Sequence, residues 1–356
     1  MERKLRYGII GAGKNAEKKH INGYRHLPCI ELVAVCDVDI GRAKRIAETY
    51  GFARVYTDYG EMLRNEELDI VSVCAPNAMH AEIAIQALGA GVNVHCEKPM
   101  ALNGSEARRM LAAQQASGKA LMVGLNNRMT NESVFVKRCI DQGLLGEIYQ
   151  ARAGWVRRSG IPGRGTWFTN RALSGGGVMI DLGTHYLDLV LYFMGLPTPS
   201  YIVGSTHQTF AHTTTRNRNG YIGDPAGVFD VEDSAVGMLH LENGATVSFE
   251  FSWASNIEQD KVYYELLGTK GGVSYVNGEL KLFSEIGGTC VDILPRLDPN
   301  IQLINEFQHF AECVAEGKEP LAPARHGVYF MEIVDGFYES AARREPYAFN
   351  KVKVGV

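Results

Sequence analysis

The chain has 356 residues, 46% of them hydrophobic and 21% charged, a composition that supports sizeable buried cores and excludes a disordered protein. Its 36 basic and 40 acidic residues leave a net charge of -4 without long single-sign blocks, so the sequence carries no electrostatic footprint for nucleic acid or an anionic membrane. The length favours two domains, and the seven dispersed cysteines, with no CxxC pair, indicate a reducing compartment and no structural zinc.

The first strand begins almost at once, with no stretch of signal-peptide character, and no apolar run is long enough for a bilayer. A cytoplasmic protein with no membrane or nucleic-acid partner is therefore expected. Residues 5–13 read as a strand and a glycine turn, residues 14–27 as a helix ending before Pro28, and residues 30–37 as a second strand closing on an acid. Gly11 suits the tight turn, Gly13 lets the backbone approach a pyrophosphate, and Ala16 is the small third position of the fingerprint. Ala12, Lys14 and Asn15 complete the turn at a helix start, whose N–H groups favour an anion.

A glycine turn alone is weak evidence of a nucleotide. Asp37, however, stands where an acid accepts hydrogen bonds from an adenosine ribose; its bland alternative is a turn residue beside Asp39. An acid there repels a 2′-phosphate, which favours NAD over NADP, with Arg42 as a mitigating partner.

The alternation continues with helices at 41–50, 59–64, 80–89 and 105–115 and strands near 55 and at 70–75, 92–96 and 120–124. These elements predict a doubly wound parallel sheet of about six strands in residues 1–124. Ala75, Pro76 and Asn77 follow one strand, and His95-Cys96-Glu97-Lys98-Pro99 closes another, at the edge where ligands bind such sheets.

After Gly124 a helix at 132–142 leads to a long period-two run at 147–158. Strand candidates follow at 201–206, 232–241, 245–253, 262–268, 272–275 and 279–283. Asn243-Gly244 marks a hairpin. With helices at 302–316 and 326–343, residues 125–356 read as an α+β domain with a large, mainly antiparallel sheet. Residues 207–230 form one long irregular segment, a lid or an oligomer arm.

Three residues suit chemistry. Asp181 and His185, spaced four apart at a helix start after Gly175-Gly176-Gly177, can share one side, and an imidazole is a common acid/base for alcohol oxidation. Lys98 ends its strand beside Glu97. Singly, Asp181 also reads as a helix cap, His185 as a packed residue and Lys98 as a surface lysine.

In conjunction, Gly11-x-Gly13, Asp37, Ala75-Pro76-Asn77 with His80, Glu97-Lys98-Pro99, and Gly175-Gly176-Gly177 with Asp181-x-Gly183-x-His185 resemble the Gfo/Idh/MocA family of nicotinamide-dependent sugar and inositol oxidoreductases. The resemblance implies a Rossmann domain and an open-faced second sheet through which dimers or tetramers form. It implies catalytic roles for Lys98, Asp181 and His185, and cofactor-lining roles for Ala75, Pro76, Asn77, His80 and Glu97. A sugar or cyclitol hydroxyl is then expected between Lys98 and His185, losing its proton to His185 as hydride passes to NAD+.

Trp155, Trp167 and Phe168 suit stacking on a sugar ring, and Arg157, Arg158, Arg164 and Asn170 suit its hydroxyls. Alternation along 147–158 sends Arg157 and Arg158 to opposite faces; Arg158, Trp167 and Asn170 are the expected substrate contacts. Many relatives have Trp-Arg where this chain has Trp167-Phe168, which points to a less charged pocket. Two other functions share these motifs: redox-neutral glycoside hydrolysis through transient oxidation by held NAD, and dinucleotide sensing without turnover.

Overall fold

The computed structural model describes residues 3–213, 216–217, 223–224, 226–298 and 302–349. Contacts divide the chain into one unit of Met1–Leu125 with Ile304–Met331 and a second of Asn126–Leu303 with Glu332–Val356. The expected boundary after residue 124 is therefore incomplete, because a later segment returns to the first unit.

The first unit is built on six strands: β1 (Leu5–Ile10), β2 (Ile30–Cys36), β3 (Arg54–Tyr56), β4 (Ile70–Val73), β5 (Asn93–Cys96) and β6 (Leu121–Val123). They lie in the order β3-β2-β1-β4-β5-β6, every pair parallel. Both faces of such a sheet are covered, so the strands read as continuous apolar runs, with β4 buried throughout. The order reverses between β1 and β4, which brings the carboxyl ends of those strands to the crevice where this class of sheet binds ligands.

The connecting helices begin on side-chain caps. Asp39 starts Ile40–Tyr50, Asp58 starts Tyr59–Asn65 and Asn103 starts Gly104–Ser117. Asn77–Gly89 starts three residues before the expected position, directly after Pro76, so His80 lies inside the helix. The returning segment contributes the helix Glu306–Glu316, capped by Asn305 and stopped at Gly317. It packs close to Gly23, where a Cβ would stand 2.1 Å from the Phe307 ring. Beyond that helix, Val123 N donates to Ala322 O at 2.9 Å, so residues 304–331 also dock against the β6 edge.

The second unit holds β7 (Ile148–Val156), β8 (Pro199–His207), β9 (Ser234–Leu241), β10 (Thr246–Ser252), β11 (Lys261–Gly268), β12 (Gly271–Val276), β13 (Glu279–Ile286), β14 (Thr289–Ile293) and β15 (Tyr347–Ala348). Their order is β14-β13-β12-β11-β7-β10-β9-β8-β15, antiparallel except for the parallel pair β7–β10. β14 and β15 are additions to the expected strands. Gly244, at φ +86°, turns the β9–β10 hairpin as its Asn-Gly pair predicts.

One face of this sheet is a core of Ala151, Ala153, Val247, Phe249, Phe251, Tyr264 and Leu266. The helix Thr184–Phe193 belongs to this core, burying Leu187, Leu189, Val190, Leu191 and Phe193. Each such side chain contributes roughly 1.5–3 kcal/mol by burial, enough to fix a helix that carries a functional group in its first turn. Part of the segment expected as a lid or arm, namely residues 214–215, 218–222 and 225, lies outside the described residues.

Candidate active site

Gly11 has φ +90°, and a Cβ on it would stand 2.6 Å from the Cys74 carbonyl carbon, so only glycine fits. Around Gly13 the opposite holds: an added Cβ would meet no atom within 4 Å, which leaves the backbone open to a pyrophosphate. Asp37 is buried at the end of β2 and ties itself to the turn, its Oδ2 accepting from Ala12 N at 2.8 Å and its Oδ1 from Asp39 N at 2.9 Å. Arg42 Nη1 reaches the same carboxylate at 3.2 and 3.3 Å, partly balancing its charge. This cradle fits NAD: an open glycine backbone for the pyrophosphate and a fixed acid for the ribose.

The helix expected at 14–27 is interrupted by a π-turn, Ala16–Ile21, followed by the short α-helical piece Asn22–Tyr24. Such turns add a residue per loop and recur at functional sites. Within it, His20 is fully buried and Lys19 leads into a charged cluster. Glu97 Oε1 takes His20 Nε2 at 2.9 Å and Lys19 Nζ at 3.2 Å, while Oε2 accepts from Lys98 N at 3.1 Å. Lys19 also pairs with Glu306 Oε2 at 3.3 Å, and Glu306 Oε1 lies 3.2 Å from His95 Nε2.

Burial, the largest influence, favours neutral acids here, but the Lys19 charge and the hydrogen bonds from His20 and His95 together outweigh it, holding Glu97 well below the usual carboxylate range and Glu306 at about 2. Burial lowers His20 to about 4. A neutral imidazole there donates from Nε2 to Glu97 and accepts at Nδ1 from the Ser72 hydroxyl, 2.9 Å away. Thus Glu97 braces the main chain of Lys98 from a network that sequence reasoning did not single out. The adjacent ionisable pair Lys19-His20, on a helix packed against an apolar sheet, was its available signal.

His80 occupies a similar bracing position. Its ring nitrogens lie 2.9 Å from Ala75 O and 2.7 Å from Pro99 O, joining the turn after β4 to the turn after β5. Burial lowers its pKa, opposed by those two carbonyls. Asn77, also buried, opens the helix of which Pro76 is the cap.

In the second unit Asp181 sits in a second π-turn, Met179–Gly183, continuous with the helix that carries His185. The main-chain N of Asp181 donates to Gly177 O at 3.0 Å. Its carboxylate is aimed by a neighbour absent from the sequence reading: the fully buried Trp253 donates from Nε1 to Asp181 Oδ2 at 3.0 Å. A buried indole N–H needs an acceptor, and that need was the only sequence signal for Trp253. The Trp155 ring lies 5.7 Å from the His185 ring, and the Arg157 guanidinium sits 4.4 Å over Trp155.

Arg158, the expected substrate contact, and Arg157 stand in different surroundings. Arg158 is exposed, donating from Nη1 to Glu258 O at 2.7 Å and from its main chain to Asp260 Oδ1 at 2.7 Å. The buried Arg157 is the one beside Trp155. β7 ends at Val156, so strand alternation does not extend to either arginine. Asn170 caps the short helix Arg171–Ser174, its Oδ1 accepting from Ala172 N at 3.0 Å. Trp167 stacks on Phe168 with ring centroids 3.9 Å apart.

Comparison with known proteins agrees with both units. Residues 5–125 match the oxidoreductase family, NAD-binding Rossmann fold, and residues 134–274 match the GFO/IDH/MocA C-terminal domain. The chain is 35% identical over 342 residues to D-glucoside 3-dehydrogenase of Escherichia coli (strain K12), covering 95% of each. It is 28% identical over 290 residues to levoglucosan dehydrogenase of Pseudarthrobacter phenanthrenivorans, covering 76% of this chain and 73% of that one. A solved levoglucosan dehydrogenase, in complex with NADH and L-sorbose, has the same fold, with a TM-score of 0.86 at 24% identity over 99% of this chain and 100% of that one. Among the described residues, no helix is long and apolar enough to cross a membrane.

Proposed function

The chain belongs to the Gfo/Idh/MocA family of NAD-dependent oxidoreductases, and we propose that it oxidises a secondary ring hydroxyl of a glucoside. The observation that carries this substrate class is the 35% identity, over 95% of both chains, to a D-glucoside 3-dehydrogenase. NAD, when bound, supplies the hydride acceptor. The cradle of Gly11, Ala12, Gly13 and Asp37 holds it, Gly13 through its open backbone and Asp37 through its carboxylate.

Lys98, Asp181 and His185 are the catalytic residues in this reading. The His185 imidazole takes the proton of the reacting hydroxyl, and Lys98 Nζ donates a hydrogen bond to the same oxygen as negative charge develops on it. Asp181, with Oδ2 held by Trp253, orients the sugar or the imidazole. Trp155 offers its face to the ring of the sugar, and Arg157, stacked on that indole, replaces Arg158 as the hydroxyl contact. Exposed Val203, Val236 and Met238 on neighbouring strands β8 and β9 support assembly through the second sheet.

The test is incubation with NAD+ and, in turn, an alkyl glucoside, levoglucosan and an inositol, following NADH absorbance and identifying products. Accumulation of NADH with a ketosugar from the glucoside is the expected result. Release of the free alcohol without net NADH would instead identify redox-neutral hydrolysis, and no hydride transfer with any of them would overturn the enzyme assignment.

A further inference from the structure

The dipeptide Glu232-Asp233, just before β9, is buried, with 3% and 0% of its surface exposed. Acids in such a place are costly unless their lone pairs are filled. Both Glu232 oxygens lie 3.0 Å from Gly177 N; Oε1 also accepts from Met179 N at 3.1 Å and from the Tyr338 hydroxyl at 2.8 Å. The Glu232 main-chain carbonyl accepts from Val178 N at 3.2 Å. Three successive N–H groups at the opening of the Asp181 segment therefore end on one residue from a distant part of the chain.

Two of the three successive glycines have their explanation here. A Cβ on Gly177 would stand 1.9 Å from Glu232 O, and one on Gly176 would stand 2.0 Å from the Tyr338 hydroxyl. The close approach that glycine permits at these two positions is thus to Glu232 and Tyr338.

Asp233 holds the other side. Its main-chain carbonyl accepts from Trp253 N at 2.9 Å and from Ser252 Oγ at 3.3 Å, fixing the residue whose indole donates to Asp181 Oδ2. The main chain of Asp181 hangs from Gly177 O, in the turn that Glu232 clamps, and its side chain hangs from the indole that Asp233 anchors. The geometry points to Glu232 and Asp233 as positioning residues that set the Asp181 carboxylate for the sugar reaction. This rests on the reading of Asp181 as catalytic. A local cap would satisfy the same N–H groups; a buried tertiary carboxylate also fixes the rotation of the segment about its axis.

A double-mutant cycle on the full chain separates this role from a merely structural one. Glu232→Gln and Asp181→Asn are made singly and together, with kcat and KM measured on a glucoside, Kd for NAD from fluorescence, and melting temperature. The expected result is a loss of about tenfold in kcat for Glu232→Gln, with Kd for NAD unchanged and no further loss when it is added to Asp181→Asn. Normal kcat in Asp181→Asn would overturn the catalytic reading of Asp181 and this proposal with it. An impaired Asp181→Asn beside a normal Glu232→Gln, or losses that multiply in full, would overturn the positioning role alone. If Glu232→Gln does not fold, Tyr338→Phe, which removes one donor from Glu232 and keeps the ring, takes its place in the same cycle with the same outcomes.

Discussion

Arg128 and Asp188 form a buried, two-bonded ion pair, Nε to Oδ2 at 2.9 Å and Nη2 to Oδ1 at 2.6 Å. Asp188 follows His185 by less than one helical turn, so the pair pins the first half of the helix that carries the proposed base. Parallel two-bonded geometry fixes orientation as well as distance. Removing one partner leaves a buried charge, which typically costs about 3–5 kcal/mol. Asp188→Asn is expected to lower stability in denaturant by that order, and Arg128→Met with Asp188→Leu to recover much of it. A loss below about 1 kcal/mol in the single variant would show that the pair carries no such constraint.

Trp253 constrains Asp181 in another way, by one charge-assisted hydrogen bond through an indole N–H. Trp253→Phe removes the donor and keeps an aromatic ring, though a smaller one in a fully buried position. A fall of about tenfold in kcat, with Kd for NAD unchanged, is the expected outcome in steady-state and cofactor-binding assays. Unchanged kcat would show that the hydrogen bond packs the core without aiming the carboxylate.

The first unit makes a separate pH prediction. His20 falls to about 4 in the fold from an ordinary 6.5, so between these values the unfolded chain binds a proton that the folded chain does not. Glu306 is held at about 2 against an ordinary 4.5, and the same sign follows: its contribution is present above 4.5 and is lost as pH falls toward 2. The unfolding midpoint should therefore decline first between pH 6.5 and 4 and continue to decline below 4.5. Calorimetry across this range checks it, and His20→Gln should flatten the upper part of the decline. A midpoint that rises on acidification would contradict the network.

The sequence made the βα alternation and the glycine turn legible because parallel strands buried on both faces are apolar runs, and because only glycine fits at position 11. Other features lay beyond its reach. Hydrophobic periodicity does not register one extra residue in a turn, so both π-turns, Ala16–Ile21 and Met179–Gly183, were hidden. The pattern of Glu306–Glu316 shows that one face is buried without saying on which unit. β14 is mostly exposed and offers no alternation to find. Asp181 was legible as a carboxylate beside a histidine; Trp253, Glu232 and Asp233 were not, since hydrogen bonds between distant segments leave no spacing in the chain.

Lys98 and His185 supply the most direct check on the proposed chemistry. Lys98 has its main chain braced by Glu97, and His185 stands in the first turn of a buried helix beside Trp155, so alanine at either removes a reactive group while these supports remain. Each variant should lose about 10² or more in kcat on the glucoside, because proton transfer and stabilisation of the developing alkoxide act in the transition state. Kd for NAD should change little in His185→Ala, since the nucleotide cradle is built from Gly11, Gly13 and Asp37. Stopped-flow measurement of the first turnover separates this loss from slower product release. If His185→Ala retains near-normal single-turnover hydride transfer, the base lies elsewhere; if Lys98→Ala does, the developing charge has another donor.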